Sequence, residues 1–202
     1  MKFALSVTII IFLASTARSQ LFNSIEVSTG LSLATQKSPF IDDDLSQRET
    51  IRQGFNVMVR MAGRINELFS YTSDLGYVQK GYRFEAMYSR EQLIHYITYS
   101  PQLKFGRQTE NFTPCVILGP RIAYQVGYEG KTNVDNTTHY FRKSVFGINA
   151  GIDMKYVLDN WGITALFLYQ FDVTNHYRYA STDLVYRNKA MLINIGVVYI
   201  LN

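Results

Sequence analysis

The sequence has a single cysteine, Cys115, so no intramolecular disulfide can form, and its three histidines add too little to make a Cys/His zinc cluster. Charge is sparse: 18% of residues are charged, and 20 lysines and arginines against 16 acids give a net +4. That balance is too mild for a nucleic-acid surface, and no polybasic run alters it. Long apolar runs are absent as well. The richest stretch, residues 191–201, is broken by Asn194 and Gly196, short of the roughly 18 apolar residues that mark a membrane-crossing helix. Prolines number only four, against 15 tyrosines and 13 phenylalanines, a balance that favours strands over helices. With 202 residues, 47% of them hydrophobic, the chain is long enough for one domain and too apolar for disorder.

Met1-Lys2 is followed by an apolar stretch from Phe3 to Ala14 and then by Ala17-Arg18-Ser19, small residues where a signal peptidase cuts. The expected division is a signal peptide over residues 1–19 and a single barrel domain over residues 20–202. Removing Lys2 and Arg18 leaves the mature chain with 18 bases against 16 acids, almost neutral.

Strict two-residue alternation recurs along the mature chain, the signature of strands with two unlike faces. The first segment sets Ile25, Val27, Thr29, Leu31 and Leu33 against Glu26, Ser28, Gly30 and Ser32. Seven more follow, centred on Val57, Leu75, Tyr99, Leu118, Ile148, Phe167 and Ile195. They run about 10 to 14 residues, well beyond the usual soluble strand and close to what a tilted strand needs to span a bilayer. Charge then decides between an outer-membrane barrel and a soluble lipocalin-like one. Glu26, Arg52, Arg60, Asp74, Lys104, Arg121, Asp153 and Lys155 all fall on the small, polar face, and the apolar face has no charge well inside a strand. A lysine or arginine at the midplane costs about 2 to 4 kcal/mol on a lipid-facing wall, so the apolar face is read as facing lipid.

Links near 63–67, 106–112 and 157–160 are short, while those near 35–49, 81–91, 128–144 and 172–188 are long and polar. The alternation matches periplasmic turns and extracellular loops, with both termini periplasmic. Tyr82, Tyr88, Tyr128, Tyr140, Tyr177 and Tyr186 near the long loops, and Phe69, Phe105, Tyr156 and Trp161 near the short turns, would form two interfacial girdles. The fold class expected is all-β: a transmembrane antiparallel up-and-down barrel of about eight strands.

Leu75-Gly76-Tyr77-Val78-Gln79-Lys80-Gly81, Pro101-Gln102-Leu103-Lys104-Phe105, Leu118-Gly119-Pro120-Arg121-Ile122-Ala123-Tyr124 and Phe146-Gly147-Ile148-Asn149-Ala150-Gly151 occur in that order. In order and spacing they resemble the PorT-like, porin-family small outer-membrane β-barrels of Bacteroidetes, over most of the mature chain. Val145 stands where an Asp often precedes the Phe-Gly pair, and the chain ends Tyr199-Ile200-Leu201-Asn202 instead of on an aromatic. The resemblance implies an outer-membrane barrel without catalytic residues and, for the family's named member, a tie to protein secretion and surface export.

Asp42-Asp43-Asp44 lacks the spaced ligands and turn glycine of a calcium loop and reads as a solvated loop. His95, His139 and His176 have no nucleophile beside them in sequence, so neither catalysis nor a cofactor is expected. Asn111-Phe112-Thr113 and Asn136-Thr137-Thr138 match a glycosylation pattern that has no default meaning in a bacterial outer-membrane protein. Gly81 is expected to free the backbone to leave the third strand. The sequence therefore reads as a monomeric, non-enzymatic barrel in the outer membrane whose long loops meet protein partners. A small channel, a rim-located lipid-modifying enzyme and a soluble ligand-binding barrel are the alternatives. Within the lumen a structural network of Glu26, Arg60, Asp74, Arg121 and Asp153 is expected, with Glu26 paired to Arg60 and Arg121 seated between Asp74 and Asp153.

Overall fold

A computed structural model describes residues 22–37, 48–85, 90–107, 109, 111–130, 140–141, 143–174, 177–179 and 182–201. The expected signal peptide, the Asp42-Asp43-Asp44 run, Asn136, His139 and His176 lie outside them. Eight long strands make a closed antiparallel barrel: β1 (Ser24–Lys37), β2 (Arg52–Arg64), β3 (Phe69–Glu85), β4 (Arg90–Phe105), β5 (Phe112–Gly130), β6 (Ser144–Leu158), β7 (Trp161–Asp172) and β8 (Thr182–Ile200). Each pairs with its neighbours in chain order, and β1 closes on β8 from Ser24 opposite Ile200 to Lys37 opposite Arg187. Closure leaves no free edge on the barrel, which is how strands satisfy their backbone polar groups in hydrocarbon. Three short strands extend the ladder among the described residues: Arg48–Thr50 pairs with β3, Tyr177–Tyr179 with β8, and Tyr140–Phe141 with Tyr177–Tyr179.

Local chemistry sets the short turns. Asn66 Oδ1 accepts from the backbone N–H groups of Leu68 (2.9 Å) and Phe69 (2.8 Å), an Asx turn that reverses the chain between β2 and β3. Between β6 and β7 the connection is only Asp159-Asn160, with Leu158 paired to Trp161. Asp159 takes a φ of 54°, a left-handed conformation that aspartate tolerates better than most residues.

The barrel is strongly sheared. A pairing row that starts at Glu26 runs through Arg60, Asp74 and Ser100 and resumes from Arg121 to Gly147 and Asp172; the β7–β8 register, which sets Phe171 opposite Lys189, carries it on to Asn188 and so to Gln36 on β1, ten residues above its start. With strands about 4.8 Å apart and a rise of about 3.3 Å per residue, that displacement tilts the strands by about 40°.

Side chains divide as the alternation predicts. Ile195 is 72% exposed on the outer face, whereas Glu26, Arg60, Asp74, Arg121 and Asp153 are all buried within the lumen. Trp161 and Tyr199 (ring centroids 4.8 Å apart) and Phe69 and Phe105 (5.2 Å) form the girdle at the short-turn end. Of the upper girdle only Tyr128 has a described side chain, and it is exposed. His95 stands ten residues above Phe105 on β4, about 25 Å along the barrel axis at this tilt, the height of the apolar band of such barrels. Lys189 faces outward beside Phe171, near the long-loop end, where its stem can carry the ammonium to the interface.

The third and fourth strands extend beyond their expected ends. The segment read as a loop over 81–91 is ladder up to Phe84 opposite Arg90. Gly81 does not release the chain: it pairs with Leu93, and a Cβ there would sit 2.1 Å from the Gln92 carbonyl oxygen.

Candidate functional site: the lumen

The lumen holds two charged clusters at different heights. The lower one gathers on Arg60, whose guanidinium is 1% exposed. Its Nε donates to Asp74 Oδ1 (2.9 Å) and its Nη2 to Asp74 Oδ2 (3.0 Å), a bidentate clamp. Nη1 lies 3.4 Å from Glu26 Oε1 and 3.5 Å from Asp153 Oδ2. Lys104 Nζ donates to Asp153, Gln102 Nε2 to Asp74 Oδ2 (3.1 Å) and Thr164 Oγ1 to Glu26 Oε1 (3.0 Å). Lys155 faces the same end. Arg60 and Lys104 are paired with the three carboxylates, and Lys155 lines the lumen at the same end, so the burial of charge is accompanied by pairing and hydrogen bonding.

The upper cluster is different. Arg121 Nη2 donates to Asp172, and Lys80 Nζ lies 3.6 Å from the same Asp172 oxygen and 5.9 Å from the centroid of the Tyr96 ring. Lys80 Nζ, Arg121 Nε and Arg121 Nη1 have no hydrogen-bond partner among the described residues. Two buried cations share one carboxylate.

Between the clusters sits a layer that carries no charge, with Met58, Val78, Ile117, Leu166, Leu168 and Leu192 in one apolar group. Amides bridge beside it: Asn194 Nδ2 donates to Asn56 Oδ1 (2.7 Å) and Asn149 Nδ2 to Ser100 Oγ (3.1 Å). Below the Arg60 cluster a cavity of about 430 Å³, lined by residues including Ser24, Arg64, Lys104, Cys115 and Lys155, opens at the short-turn end.

The structure thus brings Glu26, Arg60, Asp74 and Asp153 together and separates Arg121 from them. The expected Arg121 contacts with Asp74 and Asp153 are not made, and the shear is the reason. Asp153 pairs with Cys115, six residues below Arg121 on β5, or about 20 Å along the strand. Asp74 shares the pairing row of Arg121, but the row climbs as it crosses β4. Gly147 directs Arg121 the other way: a Cβ there would fall 2.5 Å from Arg121 Nη2, so its absence clears the path to Asp172. The sequence reading missed Asp172 and Lys80, the first because it was placed in a loop and the second because it was taken as a strand end. Their parity with Gln170 and Val78, two residues before them, was the available signal.

His95 faces outward near the upper rim. Its Nδ1 hydrogen-bonds the Tyr77 hydroxyl and its Nε2 lies 3.4 Å from Glu129 Oε1. Cys115 is buried and unpaired, and no group of three or more His, Cys, Asp or Glu able to hold a metal occurs among the described residues.

Solved structures match this architecture. OprG from Pseudomonas aeruginosa superposes with a TM-score of 0.54 at 8% identity, over 88% of this chain and 96% of that one. The fold is that of a small outer-membrane β-barrel. A major outer membrane protein from Thermus thermophilus matches the barrel with a TM-score of 0.51 at 10% identity, over 86% of this chain and 99% of its own. No family model matches the barrel's sequence, and no curated protein matches it.

Proposed function

We propose that this chain is a PorT-like resident of the bacterial outer membrane, without enzymatic activity, that works through its surfaces and not through its lumen. The observation that carries the reading is the filled interior: an ion-paired cluster, an uncharged layer and a second charged cluster are stacked along the axis. An eight-stranded barrel is only wide enough to be filled by side chains, and above the cavity at the short-turn end this one is filled. The extension of β3 and β4 to Phe84 and Arg90, beyond the height of His95, supports a platform raised above the bilayer for protein partners. Service in secretion or surface assembly is the role this reading assigns.

Planar-bilayer recording on the purified protein tests it. The expected result is no reproducible conductance step, and regular steps would establish the small-channel reading instead. The closed ladder also predicts that unboiled protein keeps a compact gel mobility in SDS that boiling abolishes, with identical mobility counting against closure.

A further inference from the structure

Two proline-bearing segments, Pro101-Gln102-Leu103 and Leu118-Gly119-Pro120, are not explained by a filled lumen. The structure sets them against each other. Along the β4–β5 ladder Tyr99 pairs with Ile122 and Leu103 with Leu118, and the three pairings between them are missing. The same register places Pro101 opposite Pro120. Antiparallel partners exchange two N–H···O bonds at every second position, and proline has no N–H, so neither residue can supply its half. On their other sides both strands are intact, with Pro101 opposite Ser73 and Pro120 opposite Ile148. The interruption is confined to one seam of the wall.

A groove of about 810 Å³ lies over this seam on the outer face. Phe22 and Tyr71 stand at its foot, their rings 6.0 Å apart, and Leu103, Leu118, Tyr99 and Ile148 flank it above. Its one outward hydroxyl pair is closed on itself, Ser73 Oγ to Tyr99 Oη at 3.3 Å. Pro101 stands four residues above Phe105 of the girdle, about 10 Å up the axis, so the groove runs from the short-turn interface toward the midplane. That is the lie of one hydrocarbon chain in the periplasmic leaflet. The backbones come close on the lumen side, where a Cβ on Gly119 would sit 2.2 Å from the Pro101 carbonyl oxygen. The concavity therefore opens toward lipid.

We propose that this seam is a binding site for one acyl chain of a periplasmic-leaflet phospholipid. The occupant follows from continuity, because the groove interrupts a surface that lipid already covers, and an unfilled concavity forfeits the dispersion contacts of its lining. The inference rests on the lipid-facing assignment of the outer wall, not on the proposed role in secretion.

The test uses full-length barrel in phosphatidylethanolamine bilayers, extracted with mild detergent and examined by native mass spectrometry. Wild type is expected to retain one phospholipid through washing. L118W fills the groove and should lower the retained fraction by about fivefold or more, while I195W, on the opposite part of the wall, should keep it. If L118W does not fold, as judged by heat-shifted gel mobility, P101V/P120V gives the same reading, since it restores both donors and closes the seam. Wild type without retained lipid, or a groove variant that retains as much as wild type, overturns the site. Quenching of I195W fluorescence by brominated acyl chains, measured in a W161F background so that the new indole is the only one, separates the two failures: without quenching the outer wall does not face lipid, and with quenching only the seam assignment falls.

Discussion

The two charged clusters of the lumen are both built on a buried arginine and are differently provided for. Around Arg60 every nitrogen of the guanidinium has an oxygen within 3.5 Å, Asp153 is also paired with Lys104, and Lys155 lines the same end of the lumen. Around Asp172 one carboxylate serves two cations, and three cationic donor atoms are left without a partner among the described residues. A network whose arginine is fully bonded, and whose unbonded atoms are the acceptors Asp153 Oδ1 and Gln102 Oε1, ties β1, β2, β3 and β6 to one register. One whose unbonded atoms are cationic donors holds its strands less firmly and retains capacity to donate. The difference teaches that a buried charge does not by itself identify a structural plug; the ratio of donors to acceptors around it does.

The largest effect should follow from Arg60→Ala. It would leave Glu26, Asp74 and Asp153 with Lys104 and Lys155 alone, at a cost of about 3 to 5 kcal/mol. Arg121→Ala strands only Asp172, which keeps Lys80, and should cost less than half as much. Urea unfolding of both variants in the same micelles, followed by gel mobility, measures the difference. Equal losses would dissolve the contrast between the clusters.

How much of this could be read from the sequence depends on whether the feature is local. Alternation is local, so the strands and the inward direction of Glu26, Arg60, Asp74, Arg121 and Asp153 follow from it, and the antiparallel pairing of the first two strands places Glu26 opposite Arg60. Shear is not local: it is fixed only when β8 closes on β1, and it moves Arg121 away from Asp153. The apolar layer announces itself weakly, as Ile117, Leu166 and Leu168 on a face that is otherwise small and polar. The opposed prolines could not be seen either, because Pro101 and Pro120 meet only once the β4–β5 register is known.

A smaller effect is expected at Gly147, the residue that lets Arg121 reach the upper cluster. Its replacement by alanine would bring a methyl group to 2.5 Å from both Arg121 Nη2 and the Phe171 carbonyl oxygen. Something must shift, at a cost of about 1 to 3 kcal/mol. In an Arg121→Ala background the side-chain half of the clash disappears while the carbonyl half stays. A double-mutant cycle should therefore show a penalty that shrinks without vanishing, and strict additivity would mean that Arg121 does not pass over Gly147.

The smallest effect, and the one with the opposite sign, belongs to Lys80→Met. Lys80 is buried beside Arg121, and its only carboxylate among the described residues, Asp172, is already bonded to that arginine. Removing the ammonium gives up an ion pair at 3.6 Å, but Asp172 keeps its bond to Arg121 and the repulsion between two neighbouring buried cations goes with it. Methionine keeps most of the stem's volume, so the packing against Tyr96 survives. The net charge of the cluster falls from +1 to zero, and the variant should be unchanged in stability or more stable by up to about 1 kcal/mol. Lys104→Met in the lower cluster makes the matched control, since it takes a bonded cation from Asp153 and should destabilise. If Lys80→Met lost as much as Lys104→Met, the upper cluster would be as fully paired as the lower, through groups outside the described residues, and the asymmetry of the lumen would be gone.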